Sequence, residues 1–401
     1  MRTNKIKIGA WYAVDLGYID QKHIDEIKEA GVDLIFAGWG SDEEKKEILR
    51  LCSNAGVDVL VNDLRISHAD PDAEAYAKIL SEYKDEPSFV GNMFADEPGA
   101  DAYPIFGERI KVYKSIAPDK IAYVNLLPNY APLSACQTES YEEYVEKFAE
   151  YIDEDYISVD IYPLSIDDKG IKHTSGVFFR NLDQVATVCR KTDRDFWGFI
   201  QSMSFNGCMR EPTEEEMRYQ AYAYMAFGAN GIFHFCYATP PSGAESFPMG
   251  MIDKNAEKTV LWYRAQKLNS ELAALSQVYM NYRNLGACVL YAGCPSNPLD
   301  FDNQFDPAGL SAIEAVESTQ NALVGSFADE QDRSALILLN CAEIREGLPN
   351  DITLTLSVQD ITVYRRGLPT RIHSDNGMFT IHLDNCEGVF ITIGYHLYRV
   401  S

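Results

Sequence analysis

The sequence has no apolar run long enough to cross a membrane. A helical span needs about 18 or more consecutive apolar residues, and no stretch of the 401-residue chain approaches that length. The first residues, 1–7, are polar and do not contain the apolar segment of a secretory signal. These features predict a cytoplasmic protein without a membrane partner; the alternative is an exported protein whose leader has been removed.

The cysteines form no recognisable framework. Nine are scattered along the chain, without a CxxC pair and without the Cys/His spacing of a metal site. An odd number in this arrangement predicts reduced thiols, most of them buried. The glycine-rich phosphate loop of dinucleotide-binding proteins does not follow the first predicted strand either. The sequence therefore predicts no metal and no cofactor.

Basic residues are few. Lys and Arg number 35 against 60 Asp and Glu, and the formal net charge is -25. Nucleic acids and anionic membranes are bound through basic patches, so neither is an expected partner. The charge does not argue against a neutral ligand such as a carbohydrate. With 46% hydrophobic residues, the chain has the composition of a globular protein with a large core.

Predicted strands and helices alternate through the first part of the chain. The eight apolar strand segments are residues 6–12, 32–39, 57–63, 89–97, 121–127, 156–163, 196–202 and 231–237. Each precedes a segment with helical periodicity, and eight such units over about 275 residues are typical of a (β/α)8 TIM barrel. A doubly wound sheet also alternates, but it rarely has eight regular units. We expect an α/β barrel domain over residues 1–278.

The rhythm changes after residue 278. Short strand patterns separated by turn residues follow at 322–327, 334–340, 352–356, 361–364, 378–383 and 388–393. This pattern is typical of an all-β sandwich. We expect a small C-terminal β-sandwich domain over residues 279–401.

The stretch from Phe89 to Pro98 (FVGNMFADEP) places two acids at the end of a buried strand. Pro98 cannot donate to a sheet and ends the strand. Asp96 and Glu97 therefore lie at the carboxyl end of strand four, which is where barrel enzymes carry their active sites. Desolvation there can tune the pKa values of both acids. The alternative for Asp96 is that it caps the next helix.

Aromatic and polar side chains collect at the other strand ends. The expected sugar-contacting set is Trp11, Trp39, Asn62, Asp63, Asp96, Asn125, Tyr162, Gln201 and Tyr237. In strand six, Ser158, Asp160 and Tyr162 alternate with apolar residues and are predicted to point into the barrel. Aromatic plates, amides and paired acids suit a carbohydrate, because glycosidic cleavage needs one protonated carboxyl and one carboxylate. Core packing of the two tryptophans, a structural hydrogen bond for Asp160 and a core role for His234 are the alternatives.

Four segments give the chain a family resemblance: residues 91–98, 158–163, 196–202 and 228–235. They resemble the TIM-barrel glycoside hydrolases of the clan with its acid/base glutamate on strand four, and within it the bacterial β-galactosidase-like barrels. The resemblance implies that Glu97 is the general acid. It also implies a nucleophilic glutamate at the end of strand seven, where this chain has Gln201, and an asparagine where it has Asp96.

These departures leave several hypotheses open. The favoured one makes Asp160 the second catalytic carboxylate, acting as the base for a water, with the two carboxyls ~6.5–9.5 Å apart. A loop acid, Glu211 or Glu245, is the alternative nucleophile. A third hypothesis is a carbohydrate-binding barrel that has lost its nucleophile and does not cleave. The last is a metal-dependent enzyme using Asp63, Glu97, Asp160 and His234.

Overall fold

The computed structural model describes residues 5–14, 17–68, 70–243, 245–292 and 299–394. None of the helices within these ranges is both long enough and apolar enough to span a membrane. All statements below refer to these residues.

Eight parallel strands close into a barrel, as the sequence predicts. They are β1 (Lys7–Ala10), β2 (Leu34–Ala37), β3 (Asp58–Asn62), β4 (Phe89–Asp96), β5 (Ile121–Leu126), β6 (Tyr156–Asp160), β9 (Asp195–Gln201) and β10 (Ala229–Phe235). A small antiparallel hairpin, β7 (Leu164–Ile166) and β8 (Lys172–Thr174), lies between β6 and β9 in the chain. The barrel order is β1-β10-β9-β6-β5-β4-β3-β2. Strands β4, β5 and β6 are therefore direct neighbours.

Ten α-helices connect and cover the strands. They are α1 (Gln21–Glu29), α2 (Asp42–Ala55), α3 (Leu64–Ser67), α4 (Ala73–Leu80), α5 (Tyr103–Ile116), α6 (Leu133–Cys136), α7 (Tyr141–Tyr151), α8 (Phe178–Thr192), α9 (Glu214–Ala226) and α10 (Val260–Tyr279). Helices α2 and α9 begin with capping boxes, in which Ser41 or Thr213 and the acid three positions later satisfy each other's backbone N–H groups.

The interior of the barrel is filled mainly by aromatic rings. Tyr156 and Trp197 stack with their ring centroids 4.0 Å apart, and Tyr123 continues the stack at 5.7 Å from Tyr156. Gly231 makes room for this layer, because a Cβ at that position would lie 2.5 Å from the Trp197 ring. A packed interior of this kind leaves no channel through the barrel. It forms the bottom of the opening at the carboxyl ends of the strands.

The C-terminal part consists of antiparallel sheets. One has the order β11-β13-β14-β19-β16-β17 and the other β12-β15-β18. Their strands are β11 (Tyr282–Leu290), β12 (Ile313–Ser318), β13 (Ala322–Asp329), β14 (Ser334–Asn340), β15 (Asn350–Leu356), β16 (Asp360–Arg365), β17 (Leu368–His373), β18 (Met378–Leu383) and β19 (Gly388–Ile393). A separate apolar core between them gives a β-sandwich. The division into domains 1–278 and 279–401 stays a prediction.

Helix α9 joins the two parts of the protein. Every residue from Glu216 to Ala226 is buried, because the barrel covers one side of the helix and the larger sheet covers another. Gly325 on β13 allows this close approach, since a Cβ there would lie 2.5 Å from the carbonyl oxygen of Ala226. A helix buried all round is expected to be apolar all round, and α9 is rich in Ala, Tyr and Met.

Candidate active site

Three acids and one amide meet where β4, β5 and β6 end. Asp96 is the last residue of β4, Asn125 lies near the end of β5, and Asp160 is the last residue of β6. The register pairs Asp96 with Asn125, and Asn125 with Ser158. Because the strands are parallel, their carboxyl ends lie at one mouth of the barrel. Glu97 follows Asp96 directly.

Glu97 leaves the sheet through an unusual backbone conformation. Its φ angle is 51°, in the left-handed region that non-glycine residues rarely adopt, and its N–H donates to the carbonyl of Asn125 over 2.9 Å. Such local strain is most often found at functional sites. The following 3-10 turn begins at Ala100 with Gly99 as its cap, so Asp96 does not cap a helix. That alternative for Asp96 is wrong.

The carboxyl group of Asp160 lies close enough to Glu97 to donate a hydrogen bond, which acts to lower the pKa of Glu97. Burial and the nearby charge of Asp96 raise the pKa of Glu97 to about 7. Burial, then the charges of Glu97 and Asp96, raise the pKa of Asp160 well above its usual range. Two carboxyls in contact cannot both ionise without strong repulsion, so near neutral pH they share a proton.

Asp96 completes the acidic cluster. Burial raises its pKa to about 6, against the opposing effect of a hydrogen bond from Asn125. Asp96 and Glu97 remain open to solvent from the mouth of the barrel, while protein surrounds them on the other sides. Among the described residues, no cation contributes to the pKa shift of any of the three acids. The mouth therefore holds carboxylic acids that can donate protons near neutral pH.

Asn125 is the hub of the hydrogen bonds below the acids. Its Nδ2 donates to Asp160 Oδ1 over 2.7 Å and more weakly to Asp96 Oδ1 over 3.4 Å. Its Oδ1 accepts from Ser158 Oγ at 3.1 Å and from the Tyr123 hydroxyl at 3.4 Å. The inward orientation predicted for Ser158 and Asp160 is confirmed by these contacts. With only 3% of its surface exposed, Asn125 lies beneath the mouth.

Half-buried aromatic rings stand on two sides of the mouth. Trp11 and Trp39 contact each other edge to face at 5.6 Å, and Trp11 rests on Phe36 of the barrel interior at 5.1 Å. Each tryptophan packs on the core with part of its ring and leaves the rest exposed. The core-packing alternative is therefore met in part for both tryptophans, and their contact with a sugar stays a prediction.

Tyr162 belongs to the second aromatic group. Its ring lies 5.3 Å from Phe205 and 5.2 Å from Phe235. Sequence reasoning did not single out these two phenylalanines, nor Tyr130, a half-exposed ring close enough to Asp160 and Glu97 for their charges to raise its pKa. Position at the end of a barrel strand, or just after it, was the available signal for Phe235, Tyr130 and Phe205.

Gln201 is held by the protein. It is fully buried, its Nε2 donates to the carbonyls of Leu164 and Arg210 at 2.9 and 2.6 Å, and its Oε1 accepts from the Leu164 N–H at 3.1 Å. These bonds join the end of β9 to two loops and use the whole amide. Gln201 therefore has a structural role. Both polar atoms of its amide are bonded to the protein and are not available to a sugar.

Asp63 also faces the protein interior. Its carboxylate accepts from Arg65 Nη2 at 2.8 Å and from the Tyr83 hydroxyl at 3.2 Å, and Lys45 lies 3.8 Å away. It caps α3 through the N–H of Arg65. Asn62, one residue earlier, is half-buried, and its side chain makes no hydrogen bond to the described residues. The expected sugar contact of Asp63 is not supported, whereas that of Asn62 stays a prediction.

Tyr237 and His234 lie outside the mouth as well. The Tyr237 hydroxyl accepts from Trp262 Nε1 at 3.1 Å, in the interior between the barrel and α10. His234 is fully buried between Ser202 Oγ at 2.7 Å and Asn269 Oδ1 at 2.8 Å, and burial lowers its pKa to about 4. The core role is confirmed for His234, and the sugar contact expected of Tyr237 is not supported.

The two loop acids, Glu211 and Glu245, differ in their distance from the acidic cluster. Glu211 is paired with Arg264 at 2.6 Å, beside α10. Glu245 accepts from Asn206 Nδ2 at 2.9 Å, and its charge helps to raise the pKa values of Asp96 and Glu97. Of the two, only Glu245 is therefore close to the acidic cluster.

The groups of the metal hypothesis do not converge. Asp63 is bound to Arg65, and His234 to Ser202 and Asn269, away from Glu97 and Asp160. Within the ranges that the structure describes, no group of three or more His, Cys, Asp or Glu side chains could hold a metal ion. This geometry does not support the metal-dependent hypothesis.

A family model matches part of the chain. Residues 102–275 match the model of glycoside hydrolase family 42, described as beta-galactosidase. The match covers less than half of the chain; Asp160 and Gln201 lie within it, and Glu97 lies just before it. The family resemblance predicted from the sequence is confirmed over this segment. No curated protein sequence matches this chain.

Solved structures of glycoside hydrolases share the whole architecture. A catalytic mutant of a GH42 β-galactosidase from G. stearothermophilus has a TM-score of 0.65 at 9% identity, covering 98% of this chain and 98% of that chain. A family 5 glycoside hydrolase from Bacteroides vulgatus has a TM-score of 0.56 at 14% identity, covering 97% and 89%. A family 39 enzyme from Bacteroides cellulosilyticus has 0.55 at 10%, covering 97% and 81%. At these identities the likeness shows the fold.

Proposed function

We propose that this protein is a glycoside hydrolase acting on a small glycoside or oligosaccharide, with Glu97 as the general acid and Asp160 as the second carboxylate. The pairing of these two carboxyls carries the proposal, because burial and neighbouring negative charges raise both pKa values and keep a proton available near neutral pH. A glycosidic oxygen is a poor leaving group unless it is protonated, and a carboxylic acid with a raised pKa can supply that proton. The family match makes β-galactosides the first substrates to test.

The distance between the acids modifies the expected mechanism. Separations of ~6.5–9.5 Å are typical of inverting enzymes and ~5–5.5 Å of retaining ones. Glu97 and Asp160 are hydrogen-bonding neighbours, so the wide spacing expected from the sequence stays a prediction for the sugar-bound state. A sugar bound between the two carboxyls would separate them, and the smaller movement gives the retaining separation. In that geometry Asp160 attacks the anomeric carbon while Glu97 protonates the leaving oxygen.

The subsite that we propose is smaller than the sequence suggested. It contains Trp11, Trp39 and Tyr162 as stacking surfaces, and Asn62 and Asp96 as hydrogen-bonding groups. Sugar rings present C–H faces that pack on aromatic rings. Asp63, Gln201 and Tyr237 are outside it, since their polar atoms are bonded to protein groups.

A panel of aryl glycosides, including β-galactosides, tests the proposal. We expect Glu97→Gln to lower kcat/KM by roughly 10²–10⁴ for substrates with poor leaving groups. Nitrophenyl leaving groups need less protonation, so the loss should be much smaller for them. Glu211→Gln, which removes a loop charge away from the acidic cluster, is the matched control and should retain most of the activity. An equal loss for good and poor leaving groups would argue against an acid role for Glu97.

The product configuration then decides the role of Asp160. Proton NMR of the first product distinguishes a retained anomer, made by a nucleophilic Asp160, from an inverted one, made by a water that Asp160 activates. Asp160→Asn should be inactive in both cases.

The alternative is a carbohydrate-binding barrel that does not cleave. The buried, bonded amide of Gln201 favours it, because strand seven then ends without an acid. The proton-sharing acids at the mouth argue for chemistry instead. Tight binding of a glycan that stays intact for days would select the alternative.

A further inference from the structure

We infer that Tyr144 is a positioning residue for Glu97: its hydroxyl fixes the backbone by which Glu97 leaves strand β4, and so holds the Glu97 carboxyl at the mouth of the barrel. This inference rests on the proposed function, because it explains how the general acid is kept in place. Tyr144 lies on α7 and has no exposed surface, so it does not reach a substrate and acts through Glu97.

The backbone of Glu97 needs support from its surroundings. Its φ angle of 51° is unfavourable for a residue with a side chain, and such a conformation persists only where neighbouring contacts hold it. On the N-terminal side the contact is the bond from the Glu97 N–H to the Asn125 carbonyl, 2.9 Å long. Asn125 serves here through its backbone, and the sugar contact predicted for its side chain stays a prediction. A second contact is needed on the C-terminal side, because the N–H bond alone leaves the chain beyond Glu97 free to turn.

Tyr144 supplies the contact on the C-terminal side. Its hydroxyl donates to the carbonyl of Pro98 over 2.8 Å and accepts from the N–H of Leu127 over 3.2 Å. Pro98 follows Glu97 directly, and Leu127 follows the last residue of β5. One hydroxyl therefore ties the segment that leaves β4 to the segment that leaves β5. Glu97 is then fixed on both sides to the end of the same neighbouring strand, and it cannot relax without breaking one of these bonds.

Close packing confines the same segment. A Cβ on Gly99 would lie 2.1 Å from Gln137 Oε1 and 2.8 Å from the carbonyl oxygen of Ala135, so a larger residue would displace its neighbours. Gln137 Oε1 also accepts from the Asp101 N–H over 3.1 Å. The chain after Glu97 is therefore held by α7 and by the residues at the end of α6, and a change in either support reaches the Glu97 backbone.

Tyr141 is a matched control on the same helix. It lies three residues before Tyr144, and its hydroxyl donates to the Leu127 carbonyl over 2.7 Å. The two rings pack on each other with their centroids 5.7 Å apart, and both are buried. Phenylalanine at either position keeps the ring and removes one hydroxyl, so the comparison isolates the bond to Pro98.

Carboxyl ¹³C NMR of glutamate-labelled protein tests this inference without turnover, and Glu97→Gln assigns the Glu97 resonance. In the wild type we expect a titration midpoint of about 7, because burial is the largest cause of the raised pKa of Glu97. In Tyr144→Phe the midpoint should fall by at least about 1 pH unit as the carboxyl gains solvent, whereas Tyr141→Phe should keep the wild-type value. Apart from Tyr144 itself, the titratable side chains that face Glu97 are the same in both variants: Asp96, Asp160, Glu245, Tyr130 and Cys136.

Two results would overturn the inference. One is an unchanged midpoint in folded Tyr144→Phe. The other is an equal fall in Tyr144→Phe and Tyr141→Phe, which would assign the effect to Leu127 and not to Pro98.

Gly99→Ala provides a second variant if Tyr144→Phe does not fold. It displaces the same segment from the side of Gln137 and should also lower the midpoint. Gly107→Ala on α5 is its control, because a Cβ there would lie 2.5 Å from the carbonyl oxygen of Tyr151 without touching the segment after Glu97. An equal midpoint in Gly99→Ala and Gly107→Ala would count against the inference.

Kinetics separate a positioning role from a general structural one. If the protein turns over glycosides, Tyr144→Phe should lower kcat for poor leaving groups by roughly 10–100-fold and leave KM nearly unchanged. The same substitution should have no further effect in the Glu97→Gln background, because its whole effect passes through that carboxyl. An additive loss in the double variant would contradict the positioning role. Absence of wild-type turnover together with the expected fall in the midpoint would count against the proposed function alone.

Discussion

Glu97, the residue after β4, and Asp160, the last residue of β6, are hydrogen-bonding neighbours, although the resemblance to glycoside hydrolases led us to expect a gap between catalytic acids. Burial and neighbouring negative charges raise the pKa values of both groups, although the hydrogen bond from Asp160 acts to lower that of Glu97, and the pair is unfavourable when both are ionised. These two residues therefore lower the free energy of unfolding at high pH. A destabilising arrangement of this kind is typical of groups retained for function.

The first prediction concerns stability against pH. The pKa of Glu97 rises from its ordinary 4.5 to about 7, so the folded protein binds more protons than the unfolded chain between these values. The free energy of unfolding must then fall as pH rises from about 4 to 7. Removing the charge with Glu97→Gln should raise the free energy of unfolding at pH 8 by about 1 kcal/mol, allowing for solvent screening.

Urea unfolding at pH 4.5 and pH 8 measures this difference. The gain in the free energy of unfolding from Glu97→Gln should be small at pH 4.5, where the wild-type Glu97 carboxyl is already neutral. Glu245→Gln serves as the comparison, since that carboxyl is on the loop and bonded to Asn206. A variant that is less stable than wild type at pH 8 would contradict the shared-proton description.

The second prediction concerns the end of strand seven. Gln201→Glu would place a carboxylate oxygen against the carbonyls of Leu164 and Arg210, which now accept from the amide. We expect a loss of about 1–3 kcal/mol in stability and no gain in glycosidase activity. Gln137→Glu is a matched control, because there the side-chain oxygen accepts from the Asp101 N–H and a carboxylate can do the same. A rise in activity of Gln201→Glu would show that the amide can reach the substrate.

The third prediction concerns His234. Its pKa is lowered to about 4, so the folded protein binds fewer protons than the unfolded chain between about pH 6.5 and 4, and stability falls as pH falls through this window. In total the group accounts for about 3 kcal/mol of that loss. His234→Gln lacks the titration and should lose about that much less between pH 7 and 4 than wild type. Parallel unfolding curves at both pH values would contradict the prediction.

The fourth prediction concerns the aromatic rim. Trp39→Ala should raise KM for glycosides by about tenfold, because a stacking surface worth about 1.5 kcal/mol is lost, while kcat changes little. Tyr263, an exposed ring on α10 that packs on Trp262, provides the control: Tyr263→Ala should leave KM unchanged. A KM for Trp39→Ala equal to that of wild type would remove this residue from the subsite.

Periodicity was sufficient for the barrel and for most of the sandwich. Buried strands bounded by turns are visible in sequence, and β14, β18 and β19 have the bounds that the pattern predicts. Strands β11, β12 and β17 were missed. Strand β17 is mostly exposed at an edge, so it shows no apolar alternation, and β11 follows directly on a helix.

Strand-end position identified the acids but not the direction of every side chain. Residues that follow a strand can turn inward, as Glu97 does with its left-handed φ, or fold back on the helices, as Asp63 does. Gln201 ends a strand and still binds loops, because the segments that reach it come from distant parts of the chain. Only three-dimensional packing reveals such partners, and the same holds for the contact between Glu97 and Asp160.

Helix α9 makes the barrel dependent on the β-rich part that follows it. Tyr222 and Ala226 on this helix pack against Gly388 and Gly325 of the larger sheet, where any side chain in place of the glycine would collide. A fragment truncated after α10 would expose this face of α9 to water. The tyrosines and methionines of α9, which are now buried, would then form an exposed apolar surface that promotes aggregation. Heat or urea should consequently unfold both parts in a single cooperative transition, and recombinant production of the barrel alone should yield aggregates.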